Sequence, residues 1–149
     1  MKGDWERAAG LLAARGYTCV LCKGEKVYTS TARGVGPLIR WLDEKTDLNG
    51  FCAADKVVGK AAAALYVLLG VAAVYAPVMS GMAVQMLEEH GIEVRYDQCV
   101  RAVRNRTDTG PCPMEEAVRY LESPREALAA IRERRKQLAA AKKECVPGQ

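Results

Sequence analysis

A chain of 149 residues, half of them hydrophobic, is long enough for one domain with its own core and too apolar to be disordered. Its net charge of +4 belongs to one end: residues 1–118 balance fourteen Lys/Arg against fourteen Asp/Glu, and residues 119–149 carry eight against four. A neutral body lacks the basic face that a nucleic-acid surface needs, so nucleic acid is not an expected partner, and the tail reads as a solvated helix face.

The longest apolar run, 61–76, is interrupted by Gly70 and is too short for a membrane span, and Met1–Trp5 leads into a helix too polar for a secretory segment. The expectation is a cytoplasmic protein without a membrane partner, whose six cysteines (19, 22, 52, 99, 112 and 145) stay reduced.

Asp4 to Ala14 carries an apolar stripe of Trp5, Ala8, Leu11 and Leu12 at helical spacing and ends at Arg15-Gly16. Tyr17–Cys22 and Lys26–Ser30, joined by Lys23-Gly-Glu25, predict a β-hairpin. Cys19-Val-Leu-Cys22 has metal spacing, but on a strand the two thiols point to opposite faces, and no second pair completes four zinc ligands. Arg33-Gly-Val-Gly36 is a flexible loop fit to line a pocket, and Pro37 opens a helix to about Glu44.

Asp55 is placed to cap a helix over Lys56–Leu69, Val71–Ala76 predicts a buried strand ended by Pro77, and Ser80 or Gly81 starts a helix that stops at His90-Gly91. Ile92–Tyr96 predicts another strand, and Cys99–Val103 an edge strand or short helix. A polar loop, 105–111, leads to a helix from Cys112 to about Leu121, and Ser123-Pro-Arg-Glu126 is a helix start with Ser cap, Pro at N1 and Glu at N3. An antiparallel hairpin followed by alternating strands and helices indicates a mixed sheet with helices on both faces.

Lys56 and Lys60 sit four apart at the start of a helix that otherwise reads as buried. Lysine rarely goes inside unless its charge is satisfied, and paired amines at i, i+4 repel, so an anion at this helix start is the leading idea. Gly59 between them permits close approach. The loop residues Asn105 and Thr107 suit phosphate or ribose contacts. Cys112, three residues before Glu115 and near a helix N-terminus, is a candidate nucleophile, although the one histidine, His90, offers it no obvious base.

Three strings carry a resemblance: Arg33-Gly-Val-Gly-Pro-Leu38, Ala54-Asp-Lys-Val-Val-Gly-Lys-Ala-Ala-Ala63, and Asn105-Arg-Thr-Asp-Thr-Gly-Pro-Cys-Pro-Met-Glu115. Over residues 5–118 the chain resembles a bacterial and archaeal family, the domain of unknown function 1893, placed by fold in the cytidine deaminase-like superfamily. The resemblance implies a three-layer α/β/α sandwich with a mixed sheet. The deaminase chemistry does not carry over. Where deaminases have His/Cys-x-Glu this chain has Asp55-Lys-Val57, and where they have Pro-Cys-x-x-Cys it has Ser80-Gly-Met-Ala83. Cys112-Pro-Met-Glu115 comes one strand too late and lacks the second cysteine, so zinc hydrolysis is not expected.

The reading is an α/β deaminase-like domain over residues 1–121 with a basic helical extension over 122–149, needing no metal and no cofactor. The expected function is binding of an anionic, phosphorylated small molecule, a nucleotide among the candidates. Lys56 and Lys60 would hold the anion beside Gly59, Ser80 would donate a hydrogen bond, and Asn105 and Thr107 would position the remainder. Asp55 would orient the helix start or serve as a base. Two alternatives stay open. One is an enzyme acting on such a ligand, with Asp55, Lys56, Cys112 and Glu115 as its chemistry. The other is an interaction module using the C-terminal helix, with a homo-oligomer left open.

Overall fold

The computed structural model describes residues 2–32, 34–103 and 112–144. Helix α1 (Lys2–Arg15) turns Ala8 and Leu12 inward, one helical turn apart, and ends at Gly16 with φ +71°. The hairpin follows as β1 (Cys19–Lys23) and β2 (Lys26–Ser30), closed by Gly24 and Glu25 with Lys23 opposite Lys26. Helix α2 (Gly36–Asp43) has Pro37 in its first turn and buries Leu38, Ile39 and Trp41.

Next come two short strands, β3 (Cys52–Asp55) and β4 (Val57–Val58), then α3 (Lys60–Leu69), ended by Gly70 in the left-handed region. Strand β5 (Ala73–Ser80), α4 (Gly81–Glu89), β6 (Glu93–Val100), α5 (Pro113–Val118) and α6 (Pro124–Glu144) complete the order.

The sheet is mixed and six-stranded. β1 pairs antiparallel with both β2 and β3, whereas β3, β4 and β6 all run parallel to β5. β3 and β4 lie end to end along β5, against residues 73–75 and 78–79 respectively, with β6 along its other side. Both faces are covered. α1 packs Ala8 and Leu12 on Val20, Cys22 and Ala54, and the larger core joins Leu21, Ala53 and Val74 to α2, α3, α4 and α6. Cys19 belongs to the larger core and Cys22 to the α1 side, as alternation along a strand requires.

The structure corrects the expected elements in four places. Cys52–Asp55 is a central strand, which an Ala-rich tetrapeptide did not announce. The third helix begins at Lys60, not Lys56, and Asp55 ends β3 and caps no helix. The β-branched pair Val57-Val58 bonds to Val78 and Met79 instead, and the Lys56 N–H goes to the Thr18 carbonyl at 3.2 Å.

The third correction is at Pro77, which does not end its strand: β5 runs through it to Ser80. Proline has no N–H, so the ladders skip it on both sides. Ala54↔Tyr75 is followed by Val57↔Val78, and Ala76↔Tyr96 by Val78↔Gln98. Finally, β6 is one strand to Val100 and not two elements.

Helix α6 begins at Pro124 as expected, with the Ser123 hydroxyl accepting the Glu126 N–H at 3.4 Å. Its first half is no loose extension, since Ala127 and Ile131 are both 0% exposed in the main core.

Candidate functional site

Interrupting the β3–β4 line at Lys56 leaves Asp55 at the carboxyl end of β3, where open α/β sheets place their ligands. A cleft of about 1010 Å³ opens there. Its walls are the start of β1 (Thr18, Cys19), the loop into α2 (Gly34, Val35, Gly36), the Asp55–Gly59 segment, Cys112–Glu115 and, from α6, Arg135 and Leu138.

At its floor is a hydrogen-bonded chain. The Tyr66 hydroxyl, on α3, donates to Asp55 Oδ2 at 2.7 Å and lies 3.2 Å from Cys19 Sγ. Asp55 and Cys19 are directly opposed on β3 and β1, so the sheet register brings them to one helix side chain. Burial pushes the Asp55 carboxyl up to about 7, against the opposing pull of the Tyr66 hydroxyl and the N–H groups of Val57 and Lys56. Burial likewise raises Tyr66 and Cys19, each further raised by the Asp55 charge. The chain therefore presents a carboxyl that exchanges its proton near neutral pH, backed by a neutral phenol and a neutral thiol.

The α3 N-terminus is closed from inside the molecule. Glu115 Oε1 accepts the Lys60 N–H at 2.6 Å and Oε2 accepts the Ala61 N–H at 2.9 Å. A carboxylate across the first turn satisfies orphan N–H groups and the positive end of the helix dipole. Gly59, the N-cap residue, makes room: a Cβ there would collide with the Glu115 carboxylate. Burial raises the Glu115 pKa, opposed by the two N–H bonds and the Lys60 charge. The anion expected at this helix start is thus a side chain of the protein.

Lys60 is 9% exposed, and its amine donates to the Arg119 carbonyl at 3.0 Å, so it does not line the cleft. Lys56 is exposed and lines it, but lies on no helix. The structure therefore separates the paired lysines into one surface and one internal group.

Ser80 is 0% exposed and does not line the cleft; its hydroxyl caps α4 by accepting the Ala83 N–H at 3.1 Å. Cys112 does line it, as the N-cap residue of α5, whereas the His90 ring bonds the Met86 carbonyl at 2.8 Å elsewhere. Asn105, Thr107 and Arg33 fall outside the described residues.

Sequence reasoning missed Tyr66 and Arg135 as site residues and weighed Cys19 only as half of a metal-spaced pair. The signal for all three is topological: Cys19 and Arg135 line the cleft from elements distant in sequence, and Tyr66 lies buried behind it, bonded to Asp55. The Gly34–Gly36 loop does line the pocket as expected. Its backbone turns at Gly34, φ +75°, into α2, whose N-cap position is Val35 without a side-chain cap among the described residues. The Arg135 guanidinium packs beside Gly36, where a Cβ would lie 3.5 Å from Nη2. Neighbouring arginines strap α6 down: Arg132 pairs with Asp43 at 2.6 Å, and Arg134 donates to the Pro113 carbonyl at 2.9 Å.

Among the described residues no group of three or more His, Cys, Asp or Glu could hold a metal, and no helix is long and apolar enough to cross a membrane. No curated protein matches the sequence. The fold is similar to that of a DUF1893 family protein, TM1506, from Thermotoga maritima. Its crystal structure superposes with a TM-score of 0.82 over 89% of this chain and 90% of that one, at 23% identity, a likeness that speaks for the fold alone. The family model described as TM1506, domain of unknown function (DUF1893), matches residues 7–134, through most of the core and into α6, and the chain belongs to that family.

Proposed function

We propose that the cleft binds a small anionic ligand, phosphorylated and up to nucleotide size. Its volume of about 1010 Å³ suits such a ligand. The observation that carries the reading is the gathering of positive groups around the cleft: the α2 N-terminus at Val35–Gly36, without a side-chain cap among the described residues, the Arg135 guanidinium beside it, and Lys56 on the segment across. The anion goes to α2, because α3 already holds Glu115. The antiparallel hairpin leading into parallel strands, with helices on both faces, also supports a cytidine deaminase-like arrangement, with no metal-ligand cluster among the described residues.

Thermal unfolding with a panel of nucleotides and sugar phosphates tests this. A phosphorylated compound raises the wild-type Tm; Arg135→Ala and Lys56→Ala, both at exposed residues, lose most of the rise while folding normally. A panel without effect, or variants that respond like wild type, would overturn the reading.

A second reading, an enzyme acting on such a ligand, rests on Asp55 alone. A cleft carboxyl with a pKa of about 7 can take or give a proton at neutral pH, and the Tyr66 hydroxyl holds it in place. Asp55→Asn keeps the shape and removes the proton-transfer group. Product found by mass spectrometry with wild type and not with Asp55→Asn supports catalysis; equal product from both refutes it.

A further inference from the structure

Strand β6 forms an edge of the sheet, pairing with β5 on one side and, among the described residues, with nothing on the other. Six of its eight residues are exposed, with Val94 and Val100 half-buried, so a long row of backbone donors and acceptors is open to another strand. Its side chains alternate. Glu93, Arg95 and Asp97 lie on the α1 side, where Arg95 stacks 4.3 Å over Trp5 and Asp97 accepts the Tyr75 hydroxyl at 2.7 Å. Val94, Tyr96 and Gln98 lie on the α4 side, with Tyr96 45% exposed.

A second copy is a partner whose charges are known. Two β6 strands paired antiparallel about a two-fold axis normal to the sheet keep the same face up, so directly opposed residues come from the same alternate set. Such a register must be centred on a residue. Centred on Arg95, the strand sets Arg95 against itself and Glu93 against Asp97, all like charges. Centred on Asp97, it sets Asp97 against itself. Centred on Tyr96, it sets Arg95 against Asp97 twice, Val94 against Gln98, and Tyr96 against Tyr96. Like charges directly opposite destabilise a pair and opposite charges stabilise it, which leaves the register centred on Tyr96 and one centred on Val94 that sets Glu93 against Arg95; the latter pairs only residues 93–95 of each strand and the former residues 93–99, so charge and length together select Tyr96.

We propose that two copies of this chain associate edge to edge through β6, antiparallel and centred on Tyr96, joining two six-stranded sheets into one. The Arg95–Glu93 ion pair, at 3.0 Å between exposed side chains, is weak enough to yield to the cross-strand partner.

Light scattering on the eluted full-length chain tests this. Wild type is expected at twice 16.2 kDa. Arg95→Asp and Asp97→Arg each set like charges opposite one another and are expected to raise the dimer dissociation constant at least ~10-fold. Mixing the two restores the dimer, because every 95–97 pair then joins Asp to Arg. A second measurement does not depend on charge: Tyr96→Cys, made with Cys99→Ser, forms an intermolecular disulfide at the self-opposed position under mild oxidation. A monomeric wild type, single swaps that still dimerise, a mixture that stays monomeric, or a dimer without the residue-96 cross-link would each overturn the proposal.

Discussion

Glu115 lies against Gly59 as though the glycine were cut to receive it: the carboxylate occupies the space of the missing Cβ and from there accepts the first two N–H groups of α3. Gly59 has φ −102°, an ordinary value for any residue, so what it supplies is space and not a special backbone conformation. Gly59→Ala is therefore expected to expel Glu115 and leave buried N–H groups without a partner, at a cost of about 1–3 kcal/mol per group. Urea denaturation measures it, and a variant as stable as wild type would show that the cap is not formed in solution.

Asp55 gives the protein a pH dependence with a defined sign. Its carboxyl titrates near 3.8 when free and at about 7 when folded. Between those values the folded chain keeps a proton that the unfolded chain has released, so stability falls as pH rises through this window. Glu115, raised from 4.5, acts in the same direction. Denaturation at pH 5 and pH 8 is expected to show wild type losing stability across the interval, with Asp55→Asn losing distinctly less. Equal slopes for the two would place the Asp55 carboxyl in water.

Tyr66→Phe removes the donor that favours the Asp55 carboxylate and leaves the ring packed. The Asp55 pKa is expected to rise further, and stability at pH 8 to fall by about 1–3 kcal/mol. Carboxyl carbon NMR titration reads the first effect and denaturation the second. A lowered pKa would mean that the phenol is not the carboxylate's donor.

Helix α6 is part of the core through Ala127 and Ile131. Ile131→Ala is expected to cost about 2–5 kcal/mol, as for other buried truncations to alanine, and removal of residues 122–149 to unfold the domain. Circular dichroism during heating checks both, and a native-like shortened chain would contradict the packing.

The elements that sequence predicts well are those decided locally. Period and caps located α1, the hairpin, α2, α4 and the start of α6 to within a few residues. The errors gather where distant pairing overrides local pattern. Asp55-Lys-Val-Val-Gly-Lys60 has the look of a capped helix, but Val57 and Val58 find β5 across the sheet and the helix waits until Lys60. Pro77 interrupts a ladder without ending a strand, because Tyr75 and Val78 keep the same offset to β3 and β4 on either side.

The candidate site divides in the same way. The two lysines and the glycine suggest an external anion at the helix start; Glu115 holds that place instead, and at 55 residues from Lys60 no local pattern announces it. Arg135 and Tyr66 carry no motif, and the metal-spaced pair that contains Cys19 points elsewhere; only the fold brings Cys19 and Arg135 to the cleft and Tyr66 behind Asp55. Lys60, the expected ligand anchor, is a structural group whose amine is held by the Arg119 carbonyl.

An external anion at the start of α2, with Glu115 keeping the start of α3, makes the two helix ends respond differently to a ligand. Amide NMR titration of the full chain with AMP, and separately with inorganic phosphate, tests it most directly. The Gly34, Gly36, Leu38 and Lys56 amides are expected to shift with saturation while those of Lys60 and Ala61 stay fixed. Movement of the Lys60 and Ala61 amides, or no response at Gly34 and Gly36 to either compound, would contradict it.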